Sequence, residues 1–263
     1  PYFDLYPRDQ MPVHPPVEAF RNAEVPALAF ASHKKEQEKL TDDLRRQAAQ
    51  AYYASISFMD AQVGRVLSAL DRLGLRDSTV IVFTSDHGYH IGEHGLWQKM
   101  SLFEESARVP LFIVAPGISK KGAVAKTPVS HVDIYPTLAE LCGVAAPGNL
   151  QGQSLVPILA DPTATGRGWA LTQVTRGEKL FGYTLRTIRW RYTEWDEGRQ
   201  GRELYDHEAD PRELTNLASK PEMADTVAHL SAQLRTAVQS SFPPNGQTPP
   251  LKPGLWAPNL TTP

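Results

Sequence analysis

Val80-Ile81-Val82-Phe83-Thr84-Ser85-Asp86-His87-Gly88-Tyr89 joins an apolar run to a polar, glycine-bearing turn. Four apolar residues without interruption at 80–83 predict a strand over Ser78–Ser85 buried on both faces of a sheet. In open α/β sheets, ligands gather outside the carboxyl ends of such strands, so Asp86 and His87 stand where a metal or substrate would sit. The loop runs on as His90-Ile91-Gly92-Glu93-His94-Gly95-Leu96-Trp97-Gln98-Lys99. Its glycines permit tight turns, and its density of Asp, His, Glu and Lys suits a polar site better than a core element.

Working outward, Leu44, Ala48, Tyr52, Ile56, Met59, Val63, Val66, Leu70 and Leu73 recur at steps of three and four. That spacing predicts one amphipathic helix, capped by Thr41, with Asp42 and Asp43 in its first turn and Gly74 at its end. A helix followed directly by a buried strand implies a parallel α/β sheet. Val109–Val114 reads as a second buried strand, stopped by Pro116 and Gly117. Asp133 then opens a helix through Leu138 and Leu141 to Cys142, which reads as a small core residue. Asp161, Pro162, Gly166 and Gly168 mark a boundary. Beyond it, Tyr183–Trp195 reads as one strand-like run, and Met223, Val227, Leu230, Leu234 and Val238 as a closing helix. The prolines at 1, 7, 12, 15, 16 and 26 predict an extended segment over the surface, and those after Ser240 an extended or disordered tail.

Composition narrows the function classes. The chain has 263 residues, 41% hydrophobic and 21% charged, with a formal net charge of −2, so an overall basic surface for nucleic acid is absent. No apolar run approaches the roughly 18 residues of a membrane span. The single cysteine excludes an intrachain disulfide framework. The chain opens Pro1-Tyr2-Phe3 without an initiator Met, which suggests a fragment or a processed chain.

The run Phe83–Lys99, followed by Arg108-Val109-Pro110-Leu111, resembles the metal-binding loop of sulfatases, above all the iduronate-2-sulfatase branch and its bacterial relatives. The likeness extends through Tyr52-Tyr53-Ala54-Ser55-Ile56-Ser57, Gln62-Val63-Gly64-Arg65 and Val132-Asp133-Ile134-Tyr135-Pro136-Thr137-Leu138. It continues in Leu185–Thr193 and in Glu203-Leu204-Tyr205-Asp206 to Asn216-Leu217. The resemblance implies an alkaline-phosphatase-like α/β sheet sandwiched by helices, present over 1–165 as its C-terminal half. A small α+β subdomain of antiparallel sheet plus helix follows over 166–240, then a Pro-rich tail over 241–263.

By resemblance the reaction is hydrolysis of a sulfate monoester, the expected substrate being a sulfated sugar or a glycosaminoglycan-like uronate. Asp86 is implied as a ligand of calcium (Ca2+), which favours oxygen donors. His87 stands where many sulfatases carry Asn and iduronate-type enzymes carry His, as a metal ligand or as a hydrogen-bonding partner of the sulfate. Lys99 matches the lysine that contacts the sulfate, where an ammonium stabilises charge developing on the sulfuryl oxygens; it is the catalytic candidate. Tyr89 is a candidate for the substrate rim, or packs. His90 and His94 read as loop hydrogen-bonding residues, while Arg189, Trp190, Arg191 and Trp195 either face an anionic sugar or belong to a half-buried strand.

The family's nucleophile is a formylglycine made from Cys or Ser in a Cys/Ser-x-Pro-x-Arg setting, and that pattern is absent here. Cys142 is followed by Gly-Val-Ala, and Ser219-Lys220-Pro221-Glu222 by Met223 instead of Arg. The formylglycine and two further calcium carboxylates are therefore expected in a missing N-terminal portion, the implied partner of this chain, which alone should not turn over substrate. A phosphodiesterase or phosphonate hydrolase of the same superfamily, or a non-catalytic binding remnant, is the alternative. The family suggests a periplasmic, secreted or lysosome-like location.

Overall fold

The computed structural model describes residues 1–22, 24–177 and 180–242. The proline-rich tail expected over 241–263 lies outside the described residues from 243 onward.

Helix α1 spans Asp42–Arg72, and Thr41 accepts the Leu44 amide through its side chain as a helix cap should. Its expected apolar stripe is largely uncovered: Leu44, Ile56, Met59 and Val66 are exposed, and the residues α1 does bury, Ala49 and Ala54, are not among the stripe positions. The segment before it is not a surface ribbon. Five short 3-10 turns fold residues 3–37 back on the molecule and sink Val17, Ala29 and Phe30 into the core. Tyr6 meets Ser57 of α1 at 2.6 Å, and Gln50 donates to the Tyr6 carbonyl at 2.8 Å.

Strand β1, Ile81–Thr84, carries the site loop at its carboxyl end. The loop contains the short pair β2, His90–Ile91, and β3, Trp97–Gln98, and leads to a single helical turn, α2, Glu104–Ala107. Strand β4, Leu111–Val114, then pairs with β1 antiparallel, Ile81 opposite Val114 and Thr84 opposite Leu111. Two expectations are thereby corrected. The β1–β4 pair is antiparallel, because the chain returns beside the strand it left instead of crossing over through a helix. Neither strand is buried on both faces, since Phe112 and Val114 are exposed in this two-stranded sheet.

After β4, a 3-10 turn at His131–Asp133 runs into α3, Ile134–Leu141, and α4 covers Val156–Ala160. Asp133 does more than open the helix. Fully buried, it accepts the Ser130 and Gln153 amides, both at 2.9 Å, and Arg167 at 2.7 Å. Cys142 is exposed, contrary to the core role expected for it, because it lies just past the last turn of α3.

The remainder forms a four-stranded antiparallel meander: β5, Trp169–Arg176; β6, Leu180–Thr187; β7, Trp190–Trp195; and β8, Arg202–Asp206. The expected single run Tyr183–Trp195 is thus two strands, broken at Ile188-Arg189, where Thr187 accepts the Trp190 amide at 2.9 Å. Helix α5, Ala224–Ser240, covers one face, with Leu230, Leu234 and Ala237 against Leu185, Tyr192 and Leu204. Alternation along each strand sends Val174, Trp195 and Tyr205 to the opposite face, where they share a core with Val17, Phe30, Leu96 and Phe103. The meander is therefore the back wall of the site-bearing region.

Candidate active site

The turn after β1 is folded by its own side chains. The His87 amide donates to Asp86 Oδ1 at 3.0 Å, and Ser85 Oγ donates to the His87 carbonyl at 2.9 Å. Gly88 then donates to the Ser106 carbonyl at 2.9 Å, docking the turn on α2. A Cβ at position 88 would run into the Glu105 and Arg108 carbonyl oxygens, so this approach requires glycine.

Three of the residues singled out from sequence converge. Lys99 Nζ lies 2.8 Å from His87 Nε2, which is 3.4 Å from Asp86 Oδ2. His87 Nδ1 sits 2.8 Å from the Gly88 carbonyl. An Nδ1–H donating there leaves the Nε2 lone pair facing the Lys99 ammonium. The Asp86 side chain is 83% exposed, so its carboxylate oxygens are open to a ligand. Tyr89 turns aside and stacks on Tyr52 of α1, centroids 5.0 Å apart at 21°, while keeping 37% of its surface exposed.

The other histidines of the loop belong to the interior. His90 is fully buried with Nε2 2.7 Å from Ser101 Oγ, and His94 lies flat on Phe103 at 3.9 Å. Burial pushes both imidazoles down to about 4. Two sugar-facing candidates also turn inward. Arg191 is 2% exposed and paired with Glu104 and Glu213, and Trp195 is fully buried and donates to Glu203 at 2.7 Å. Arg189 stays on the surface, over the Trp190 ring and paired with Asp206 at 2.7 Å. One residue near the site carried no sequence signal. His131, brought by the turn before α3, places Nε2 3.3 Å from Thr84 Oγ1 at the end of β1. Only the fold brings it there.

Calcium takes about six to eight oxygen ligands, and the donors present here suit part of such a shell. Asp86 offers a hard, exposed carboxylate, while the His87 Nε2 beside it is taken up by the Lys99 ammonium in this arrangement. Lys99 adds a positive charge at the same spot, the arrangement expected around a bound anion.

The family profile described as Sulfatase matches residues 10–144, and that for the C-terminal part of N-sulphoglucosamine sulphohydrolase matches residues 92–240. Arylsulfatase K of Rattus norvegicus is 34% identical over 209 residues, covering 76% of this chain and 37% of the relative. A protein solved with its substrate D-glucosamine-2-N,6-O-disulfate superposes with a TM-score of 0.71 and 30% identity, over 78% of this chain and 44% of that one. Phosphonate monoester hydrolase of Agrobacterium radiobacter superposes with a TM-score of 0.73 and 26% identity, over 91% and 53%.

Proposed function

The chain belongs to the sulfatase family, and from that premise we propose that it is the C-terminal part of a calcium-dependent hydrolase of sulfate monoesters on sulfated saccharides. The convergence of Asp86, His87 and Lys99 at the end of β1 carries this reading. Asp86, with His87 beside it, would hold calcium, and the ion when bound would neutralise charge on the sulfate oxygens. Lys99 binds the sulfuryl group and stabilises the negative charge that builds as the ester bond breaks. With Nδ1 turned to the Gly88 carbonyl, His87 has one lone pair, on Nε2, which either completes the calcium site or serves the sulfate through Lys99, and does not do both at once. Tyr89 forms the rim through its exposed edge, braced from behind by Tyr52.

The chain spans 37% of the length of Rattus norvegicus arylsulfatase K, and we assign the nucleophile to an N-terminal portion of the same polypeptide. That portion would supply a formylglycine and further calcium carboxylates, and would cover exposed apolar residues such as Val66, Phe112 and Val114. Residues 1–165 are read as part of the catalytic α/β domain and 166–240 as its subdomain. A location outside the cytoplasm is proposed with the family. Among the described residues no helix is long and apolar enough to cross a membrane. The sulfated ligand of one structural neighbour favours a sulfate ester over a phosphonate, although the hydrolase of Agrobacterium radiobacter shares the fold.

The test uses the full-length gene product, a chromogenic aryl sulfate and the matching phosphonate ester. Asp86→Ala should weaken calcium binding and turnover together. Lys99→Ala should leave calcium affinity intact and slow turnover by about 10²–10³. His87→Asn keeps both if His87 is a ligand, and keeps only calcium affinity if the ring acts on the sulfate. Unchanged calcium affinity in Asp86→Ala would remove the metal assignment, and preference for the phosphonate would favour the rival activity.

A further inference from the structure

Lys99 stands between two non-glycine residues in the left-handed region, Gln98 at φ 74° and Met100 at φ 73°. Residues with a Cβ seldom adopt this conformation, and it persists where surrounding structure holds it. The segment is fixed on either side of the lysine. Gln98 pairs with His90 across β2 and β3, and the buried Ser101 bonds to His90. The Met100 side chain is 50% exposed, so its own packing does not secure the turn. The bond to its backbone comes from far along the chain: Arg176, the last residue of β5, donates through Nη2 to the Met100 carbonyl at 2.8 Å. Its Nε donates to the Leu28 carbonyl at 3.1 Å, and the guanidinium lies 5.1 Å from the centroid of the buried Trp195 ring. One planar fork therefore ties the meander, the N-terminal segment and the residue after Lys99 together, a geometry that a lysine ammonium does not reproduce.

We propose that Arg176 is a positioning residue for Lys99, its clamp on the Met100 carbonyl holding the left-handed turn that aims the ammonium at the sulfuryl group. The proposal rests on the role given to Lys99 above. It assigns the C-terminal meander a share in the chemistry without any contact to substrate.

Arg176→Lys in the full-length enzyme keeps the charge and an aliphatic stem over Trp195 but loses the fork. A small misplacement of a reacting group costs up to about 10²-fold, so kcat should fall roughly 10- to 100-fold with KM and calcium affinity unchanged. Amide hydrogen exchange at Met100 and Ser101 should quicken about tenfold as the turn is released. Arg176→Gln should behave alike. In a Lys99→Ala background Arg176→Lys should cost almost nothing further, because two residues acting through one contact are not additive. An equal loss in both backgrounds, or unchanged exchange at Met100, would overturn the positioning role. Wild-type turnover by Lys99→Ala alone would instead overturn the reading of Lys99.

Discussion

Glu213→Gln is expected to destabilise the back wall by about 3 kcal/mol at neutral pH, and to do so in a pH-dependent way. Glu213 is fully buried; its Oε1 accepts from Arg191 and, at 2.7 Å, from His207, and its Oε2 accepts the Glu104 amide at 2.8 Å. Burial alone would raise its carboxyl, but Arg191, His207 and the Glu104 amide outweigh it and hold the group at about 2, against an ordinary 4.5. At about 1.4 kcal/mol per tenfold, that depression corresponds to about 3 kcal/mol. Removing one member of a buried ion pair falls in the same range, about 3–5 kcal/mol. Because the folded value lies below the unfolded one, the contribution is complete above about pH 4.5 and is lost as the pH falls through about 2. Urea unfolding followed by tryptophan fluorescence, to which Trp169, Trp190 and Trp195 of this wall contribute alongside Trp97 and Trp256, measures the loss. The deficit of the Gln variant should be near 3 kcal/mol at pH 7 and shrink steadily below pH 4.5. A deficit that stays constant from pH 7 to pH 3, or a variant as stable as wild type at pH 7, would refute the reasoning.

Glu203 should show the opposite slope. Burial pushes its carboxyl up to about 7 despite the bonds from Trp195 and Tyr205, so between about pH 4.5 and 7 the folded chain keeps a proton that the unfolded chain has released. Stability contributed by this group falls as the pH rises through that window, and Glu203→Gln should abolish the fall, leaving the variant ahead at pH 8; a melting curve whose pH slope survives the substitution would contradict it. Gly88→Ala drives a Cβ into the Glu105 and Arg108 carbonyls, an overpacking worth about 1–3 kcal/mol that should lower both the melting temperature and calcium affinity. Wild-type values for both would show that the turn does not depend on its approach to α2.

Much of this was legible because local chemistry determined it. Thr41, the spacing from Leu44 onward and Gly74 define α1 without reference to anything distant. The turn Asp86-His87-Gly88 follows from an apolar run ending in turn residues, and Lys99 joins it at 2.8 Å. Strand direction was not legible, because the composition of Ile81–Thr84 reports burial and says nothing of the neighbour it will have. Arg191 and Trp195 misled for a related reason. Alternation along β7 gives them one face, but whether that face meets sugar or protein depends on Glu104 and Glu213, remote in sequence. Cys142 shows the limit of periodicity at a helix end, where one residue past the last turn already points to solvent.

The meander and the site-bearing region follow one another in the chain, yet beside the meander's own core against α5 they share a second one. Phe103, two residues after Ser101, packs at a tilt against Tyr205 of β8, centroids 6.1 Å apart at 55°, and shares one cluster with Val174 and Trp195. Around that cluster the inner face of the sheet sends out three arginines, Arg176 to the Met100 carbonyl and Arg186 and Arg191 to Glu104. Each lands on backbone or side chain within five residues of Lys99. A guanidinium keeps its charge even when buried, and its planar fork of donors fixes the geometry of the oxygens it meets, here the Met100 carbonyl and the Glu104 carboxylate. The polar groups that face outward at the end of β1 are therefore held by charged groups facing inward from the sheet behind them. Changes to the sheet should reach the site as losses of alignment, well before they appear as losses of fold.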